Sequence, residues 1–216
     1  MSEAAAGYVP STAGAWTRRL HAILSTALVL GALALLSRLA GDVILAAVPA
    51  ARPDFGFTGL RPSRAGVSFD GALAPGARAV GVTVDVALYD PAHAPVLAVL
   101  HLLTWLPGML AILLSLFWLV RITSRGVAGD RAFFSAGTVR DLRRIGAVLT
   151  LGSLAALALD FTAKTVAARM LTVDPRPVPG DVDVPVVTVL MGVGAFVAAE
   201  VIGRGLAMLD DLEGTI

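Results

Sequence analysis

Four apolar stretches, residues 20–48, 95–120, 145–171 and 184–209, constrain this chain more than any other feature, because each is long enough to cross a lipid bilayer. A span needs about 20 residues at a rise of 1.5 Å each. In lipid every backbone N–H and C=O must be satisfied within the segment, which a helix does. The sequence therefore predicts an all-α membrane fold, a four-transmembrane-helix bundle forming a single integral membrane domain over residues 1–216. With 56% apolar and 15% charged residues, the composition lies far from that of a domain surrounded by water. The chain has no cysteine, which excludes disulfides, thiolate chemistry and cysteine-held metals.

Arg18 and Arg19 precede the first apolar run as they would in a secretory leader, and small residues around Ala47 and Ala50 offer a cleavage-like site. The run is longer than the apolar core of a usual leader, so a retained first helix is expected. Basic residues favour the cytoplasmic side. Placing both termini inside a bacterial inner membrane puts nine positive residues there and eight elsewhere. Local density breaks the near tie: Arg18 and Arg19 lead into the first helix, and Arg121, Arg125, Arg131, Arg140, Arg143 and Arg144 crowd the loop at residues 121–144. The arginines of the outer loop, Arg52, Arg61, Arg64 and Arg78, are interleaved with Asp54, Asp70, Asp85 and Asp90.

The loop at 52–91 is too rich in Gly, Pro and charge to be buried in lipid, yet it has the texture of strands. Val80, Val82, Val84, Val86 and Leu88 alternate with Gly81, Thr83, Asp85 and Ala87, the period of a half-buried strand. Val67 to Phe69 is the expected partner, and Val182-Asp183-Val184 the expected third strand, since a lone hairpin is marginal. The product would be a small extracytoplasmic β cap; a solvated loop without strands is the alternative.

In the basic loop, Phe133 and Phe134 precede Ser135, an N-cap residue type, after which Val139, Leu142 and Ile145 recur at helical spacing. This predicts an interfacial helix running into the third span. Its arginines would snorkel to lipid phosphates, with both phenylalanines dipping among the headgroups. Arg140, Arg143 and Arg144 would serve membrane anchoring or recognition of a partner.

Phe134-Ser135 with Val139-Arg140-Asp141-Leu142-Arg143-Arg144-Ile145-Gly146 resembles the cytoplasmic loop of the bacterial domain of unknown function 2975 family. A second matching stretch ends the fourth helix: Ala199-Glu200-Val201, Arg204-Gly205, and Asp210-Asp211-Leu212-Glu213-Gly214-Thr215-Ile216. The chain departs from the family pattern at Phe133, Thr138 and Gly203, where Pro, Asn and a basic residue are common. The resemblance implies a small four-helix inner-membrane protein, and a cytosolic helix-turn-helix regulator of the Cro/C1 type as partner. It brings no catalytic residues.

Ionisable residues near a helix centre cost about 2.5–3.5 kcal/mol on insertion scales, so each calls for an explanation. Asp160 with Lys164 and Glu200 with Arg204 stand at i,i+4 with the acid first, the favourable order for an ion pair within a helix. Arg38 and Asp42 form a reversed pair on the first helix. Glu200 is the stronger functional candidate. Pinning of helix register is the plainer role for each pair. His101, Thr104 and Ser115 share no face with evident partners, and His101 is expected to be structural. Pro107-Gly108 should kink or loosen the second helix. Ala195, Ala199 and Gly203, and Ala27 with Gly31, offer small faces for close helix approach, with Glu200 drawn inward beside the first.

No phosphate-binding glycine loop, histidine pair or triad of nucleophile and base is present, so no enzyme, cofactor or metal is expected. The leading expectation is a non-enzymatic regulatory or sensory membrane partner of the helix-turn-helix protein. Arg140, Arg143 and Arg144, together with Asp210, Asp211 and Glu213, face that partner or each other, and the chain contacts no nucleic acid directly. A small transporter or channel subunit acting as a homo-oligomer is the alternative, and a membrane assembly or stress factor without a ligand is the third.

Overall fold

Helix formation runs past the apolar stretches into their polar flanks, because alanine, leucine and arginine all favour helix whether lipid or headgroups surround them. The structure, a computed structural model, describes residues 12–47, 55–61, 84–88, 93–171, 178–179 and 184–213. Its elements are α1 (Thr12–Ala47), β1 (Phe55–Arg61), β2 (Val84–Leu88), α2 (Ala94–Ala128), α3 (Asp130–Phe133), α4 (Ala136–Ala147), α5 (Ser153–Leu171), β3 (Val178–Pro179) and α6 (Val186–Glu213). A π turn, Val148–Gly152, joins α4 to α5 without a break, so the third long helix starts in the basic loop. Helix α2 continues unbroken through Pro107.

Four helical segments, Gly14–Ile44, Ala94–Ala128, Ala136–Ala167 and Val186–Leu209, are long and apolar enough to cross a membrane. Their large apolar side chains point outward: Ile23, Leu33, Leu151, Val187, Leu190 and Val201 are all exposed. A protein in water would bury such residues, whereas here the buried set is rich in alanine. The chain is a multi-pass membrane protein.

The contacts fall into two units. The first comprises residues 1–34, 111–150 and 188–216. At its centre Ile122, Ile145 and Leu149 are buried, with Trp118, Leu119, Phe133, Leu142 and Ala195 packed around them. Glycine brings backbones together here. A Cβ on Gly192 would collide with Thr150 Oγ1 and lie 3.0 Å from the Gly146 carbonyl oxygen, and one on Gly31 would lie 2.8 Å from Leu113 Cδ2. Ala199 is fully buried, and a Cβ on Gly203 would touch Val139 Cγ1 at 3.7 Å. The small face expected on α6 is thus a packed face.

The loop between α2 and α4 turns at Gly129, whose φ of 138° suits a residue without Cβ. Its carbonyl accepts from the N–H groups of Ala132 and Phe133 at 3.1 Å, which starts α3. Ser135 holds the N-cap position of α4, but its side chain makes no capping bond; its carbonyl accepts from the Thr138 and Val139 N–H groups instead. Phe133 packs inward and meets Phe134 edge to face, with centroids 5.2 Å apart. Only Phe134 is exposed, which corrects the expectation that both rings face headgroups. The short α3 turns one ring towards the core.

The second unit comprises residues 35–110 and 151–187. Ala94, Leu97, Ala98, Ala163 and Ala167 are buried in it. Its three strands form a sheet in the order β2-β1-β3, with both pairings antiparallel. Phe55 pairs with Leu88 and Phe57 with Val86; the register then shifts, so that Leu60 meets Val84. Strands β1 and β3 also contact α5.

The pairing differs from the expected one. The partner of β2 is β1, while Val67–Phe69 and residues 80–83 lie outside the described residues. The third strand is Val178–Pro179, pairing with Arg61 and Leu60. Proline donates no ladder hydrogen bond, so an edge strand is where it fits. Val182 and Asp183 lie outside the described residues, and Val184 enters the turn that opens α6, its carbonyl accepting the Val186 N–H at 2.7 Å.

Candidate functional site

On the face of α4 turned towards α2, Asp141 is 1% exposed and collects three arginines. Arg125 Nη2 lies 2.9 Å from Oδ2, Arg121 Nε 3.7 Å from the same atom, and Arg144 Nη1 3.5 Å from Oδ1. Oδ2 receives no well-directed hydrogen bond, so the attraction is ionic and comes from charge proximity. Arg125 stands within one turn of the α2 terminus, and its guanidinium reaches α4 because Gly137 has no side chain: a Cβ there would lie 3.2 Å from Arg125 Cζ. Arg125 Nη1 also donates to Thr138 Oγ1 at 3.5 Å, and Thr138 is buried beside Asp141. Three positive charges around one buried carboxylate give the carboxylate the compensation that burial demands.

The adjoining face of α4, which shares Arg144 with the Asp141 cluster, is open. Arg140, Arg143 and Arg144 stand at i, i+3 and i+4 and line a groove of about 710 Å³, closed on its other side by Phe196, Gly203 and Leu206 of α6. Arg143 Nη2 donates to Glu200 Oε2 at 3.5 Å, and Arg204 Nε to Glu200 Oε1 at 3.0 Å. The i,i+4 pair on α6 is therefore present and acquires a third member from α4. Glu200 is not drawn inward: its side chain is 53% exposed. One residue along a helix turns the side chain by about 100°, so burial of Ala199 carries Glu200 off the packed face. The Asp211 side chain is exposed, while those of Asp210 and Glu213 lie outside the described residues.

In the second unit Asp160 and Lys164 form the expected pair, with Nζ donating to Oδ2 at 2.8 Å. Arg38 and Asp42 do not pair as expected. Asp42 is buried and accepts the Trp105 Nε1–H at 3.2 Å, with His101 Nδ1 3.4 Å from the same oxygen. Arg38 lies over the Trp105 ring, 4.4 Å from its centroid. With arginine before aspartate the helical pair has the less favourable order, and α2 offers a better donor and an aromatic face. Thr104 and Ser115 donate to the backbone carbonyls of His101 and Ala111, the ordinary recourse of a hydroxyl in lipid.

Sequence reasoning overlooked Asp141 and Trp105. The signal for Asp141 was present, a lone acid inside a run of arginines; Arg144 is at i,i+3, but Arg121 and Arg125 lie on another helix, which spacing does not reveal. Neither a curated protein nor a solved structure matches the chain. A family model described as protein of unknown function (DUF2975) matches residues 74–216, about two thirds of the sequence, a stretch that holds both the Asp141 cluster and the groove, and the chain belongs to that family.

Proposed function

We propose that this protein is a non-enzymatic regulatory component of the bacterial inner membrane, with both termini cytoplasmic, that holds a cytosolic helix-turn-helix regulator at the membrane. The observation that supports this reading is the course of α6, which runs without interruption from the apolar span ending at Leu209 to Glu213. Asp210, Asp211 and Glu213 thereby stand on a helical extension of the span. A DNA-binding regulator carries a basic face for phosphates. An acidic helix is complementary to that face and competes with DNA for it. The six arginines between the second and third spans favour the same orientation.

Pull-down of the solubilised protein with a helix-turn-helix regulator encoded beside it tests this. Retention by the intact chain and loss on deletion of residues 210–216 are expected; no retention by the intact chain overturns the reading. A second reading, a small transporter or channel subunit acting as a homo-oligomer, draws on the buried Asp42 carboxylate beside His101, since ionisable groups in spans often mark ion pathways. Its test is solute or proton flux in proteoliposomes that disappears in Asp42→Asn and Glu200→Gln.

A further inference from the structure

We infer that the groove between α4 and α6 is a docking site for an acidic amphipathic helix of a soluble partner protein, with its carboxylates on Arg140, Arg143 and Arg144 and its apolar stripe on Leu206 and Ala207. The register of the two helices carries the argument. Val139 lies against Gly203, Arg143 against Glu200 and Gly146 against Phe196, so α4 and α6 run antiparallel and Ala136 stands level with Leu206 and Ala207. Leu206 and Ala207 also follow Arg204 on α6. The apolar wall made by these three residues therefore lies farther out along the bundle than the arginines, towards the connection between α2 and α4. Arginines at a span's end stand at headgroup level, so the wall faces the aqueous side.

That order selects the occupant. A phospholipid held by the arginines sends its acyl chains the other way, into the bilayer, and leaves the wall uncovered. A free phosphate ion meets the arginines and none of the wall. A second copy of the chain, oriented alike in the membrane, brings Asp210, Asp211 and Glu213 to a level about 15 Å beyond Arg143 and Arg144, out of their reach. A helix laid in the groove meets both features. Guanidinium groups at i, i+3 and i+4 match carboxylates spaced alike on a facing helix, and a stripe of leucines beside those carboxylates covers the wall. From Ala136 to Ala147 the groove runs about 16 Å, room for about three turns. The charges are available: Arg140 makes no hydrogen bond or ion pair with a described residue, Arg143 and Arg144 are half exposed and meet acids only at 3.5 Å, and no described acid lines the groove. The inference rests on the cytoplasmic placement proposed for this end of the bundle and is independent of the acidic extension of α6.

Fluorescence anisotropy of a labelled synthetic peptide, measured with the full chain in phosphatidylcholine nanodiscs against empty nanodiscs, tests the proposal. The peptide is a helix of about twelve residues with glutamates at i, i+4 and i+7 and leucines on the adjoining stripe. Nanodiscs expose both faces of the membrane, so the result does not depend on orientation. The peptide should bind the wild-type chain about tenfold more tightly than a scrambled peptide of the same composition, or one with glutamine for each glutamate. Arg140→Gln with Arg143→Gln should weaken it by about tenfold, and Ala207→Glu, a like charge at the exposed edge of the wall, by a similar factor. Both variants alter exposed positions, and an unchanged elution volume confirms their fold. Deletion of residues 210–216 should leave peptide binding intact, which separates this site from one for a regulator on the α6 extension. Equal binding of the scrambled or glutamine peptide, wild-type affinity in either variant, loss of binding in the deletion, or displacement of the peptide by phosphatidylglycerol in the nanodisc or by tail-free glycerophosphoglycerol overturns the proposal.

Discussion

Asp141 shows how one residue can organise a loop that otherwise consists of like charges. Arg121, Arg125 and Arg144 would repel one another on adjoining helices; with the carboxylate among them they hold α4 to α2. Removing one partner from a buried ion pair destabilises by about 3–5 kcal/mol, because the other charge is left uncompensated. Arg125→Ala, which takes the nearest guanidinium from the buried carboxylate, should therefore lower the thermal aggregation midpoint of the solubilised protein markedly. Arg144→Ala, at a half-exposed position and a longer distance, should cost less than about 1 kcal/mol by the same measurement. Gly129→Ala places a Cβ at a φ of 138° and should destabilise by about 1–3 kcal/mol, seen as earlier proteolysis between α2 and α4.

At the scale of elements, helices meet where side chains are absent. Ala199 has no exposed surface, and Gly192 lies against Gly146 and Thr150. Ala199→Leu and Gly192→Val should each separate α6 from its neighbours, read as altered size in detergent and a lower aggregation temperature; unchanged behaviour of both would remove this packed face from the account. The long helices were legible in the sequence because apolar runs of spanning length have few other uses. Pairs at i,i+4 were legible for a similar reason: helical geometry alone brings Asp160 to Lys164 and Glu200 to Arg204. Strand partners were less so. A period of two identifies a strand such as Val84–Leu88, but not which of two nearby segments lies beside it, and in β1 the alternation Phe55-Gly56-Phe57-Thr58 ends at the register shift before Leu60.

For the whole molecule, the exposed apolar surface and the buried alanines have one physical reading, lipid around the helices. An even number of spans leaves head and tail in the same compartment. Reporter fusions at the two ends should both give cytoplasmic signals, and carbonate washing should leave the protein in the membrane fraction. The candidate sites were only half readable at this scale. The arginines of the basic loop read as one collar, yet Arg121, Arg125 and Arg144 gather on a carboxylate inside the fold while Arg140 and Arg143, with Arg144, line a groove, an arrangement made by helix packing. Likewise Asp42 finds Trp105 and His101 across 63 and 59 positions of sequence, contacts that no local spacing encodes.

The Asp141 cluster has a further consequence for biogenesis. Its members all belong to the stretch that leaves the ribosome between the start of α2 and the end of α4, so the latch is complete before α6 is synthesised. Contacts so close in sequence form early. The second and third spans can thus enter the bilayer as a ready-made hairpin, onto which the last helix is added.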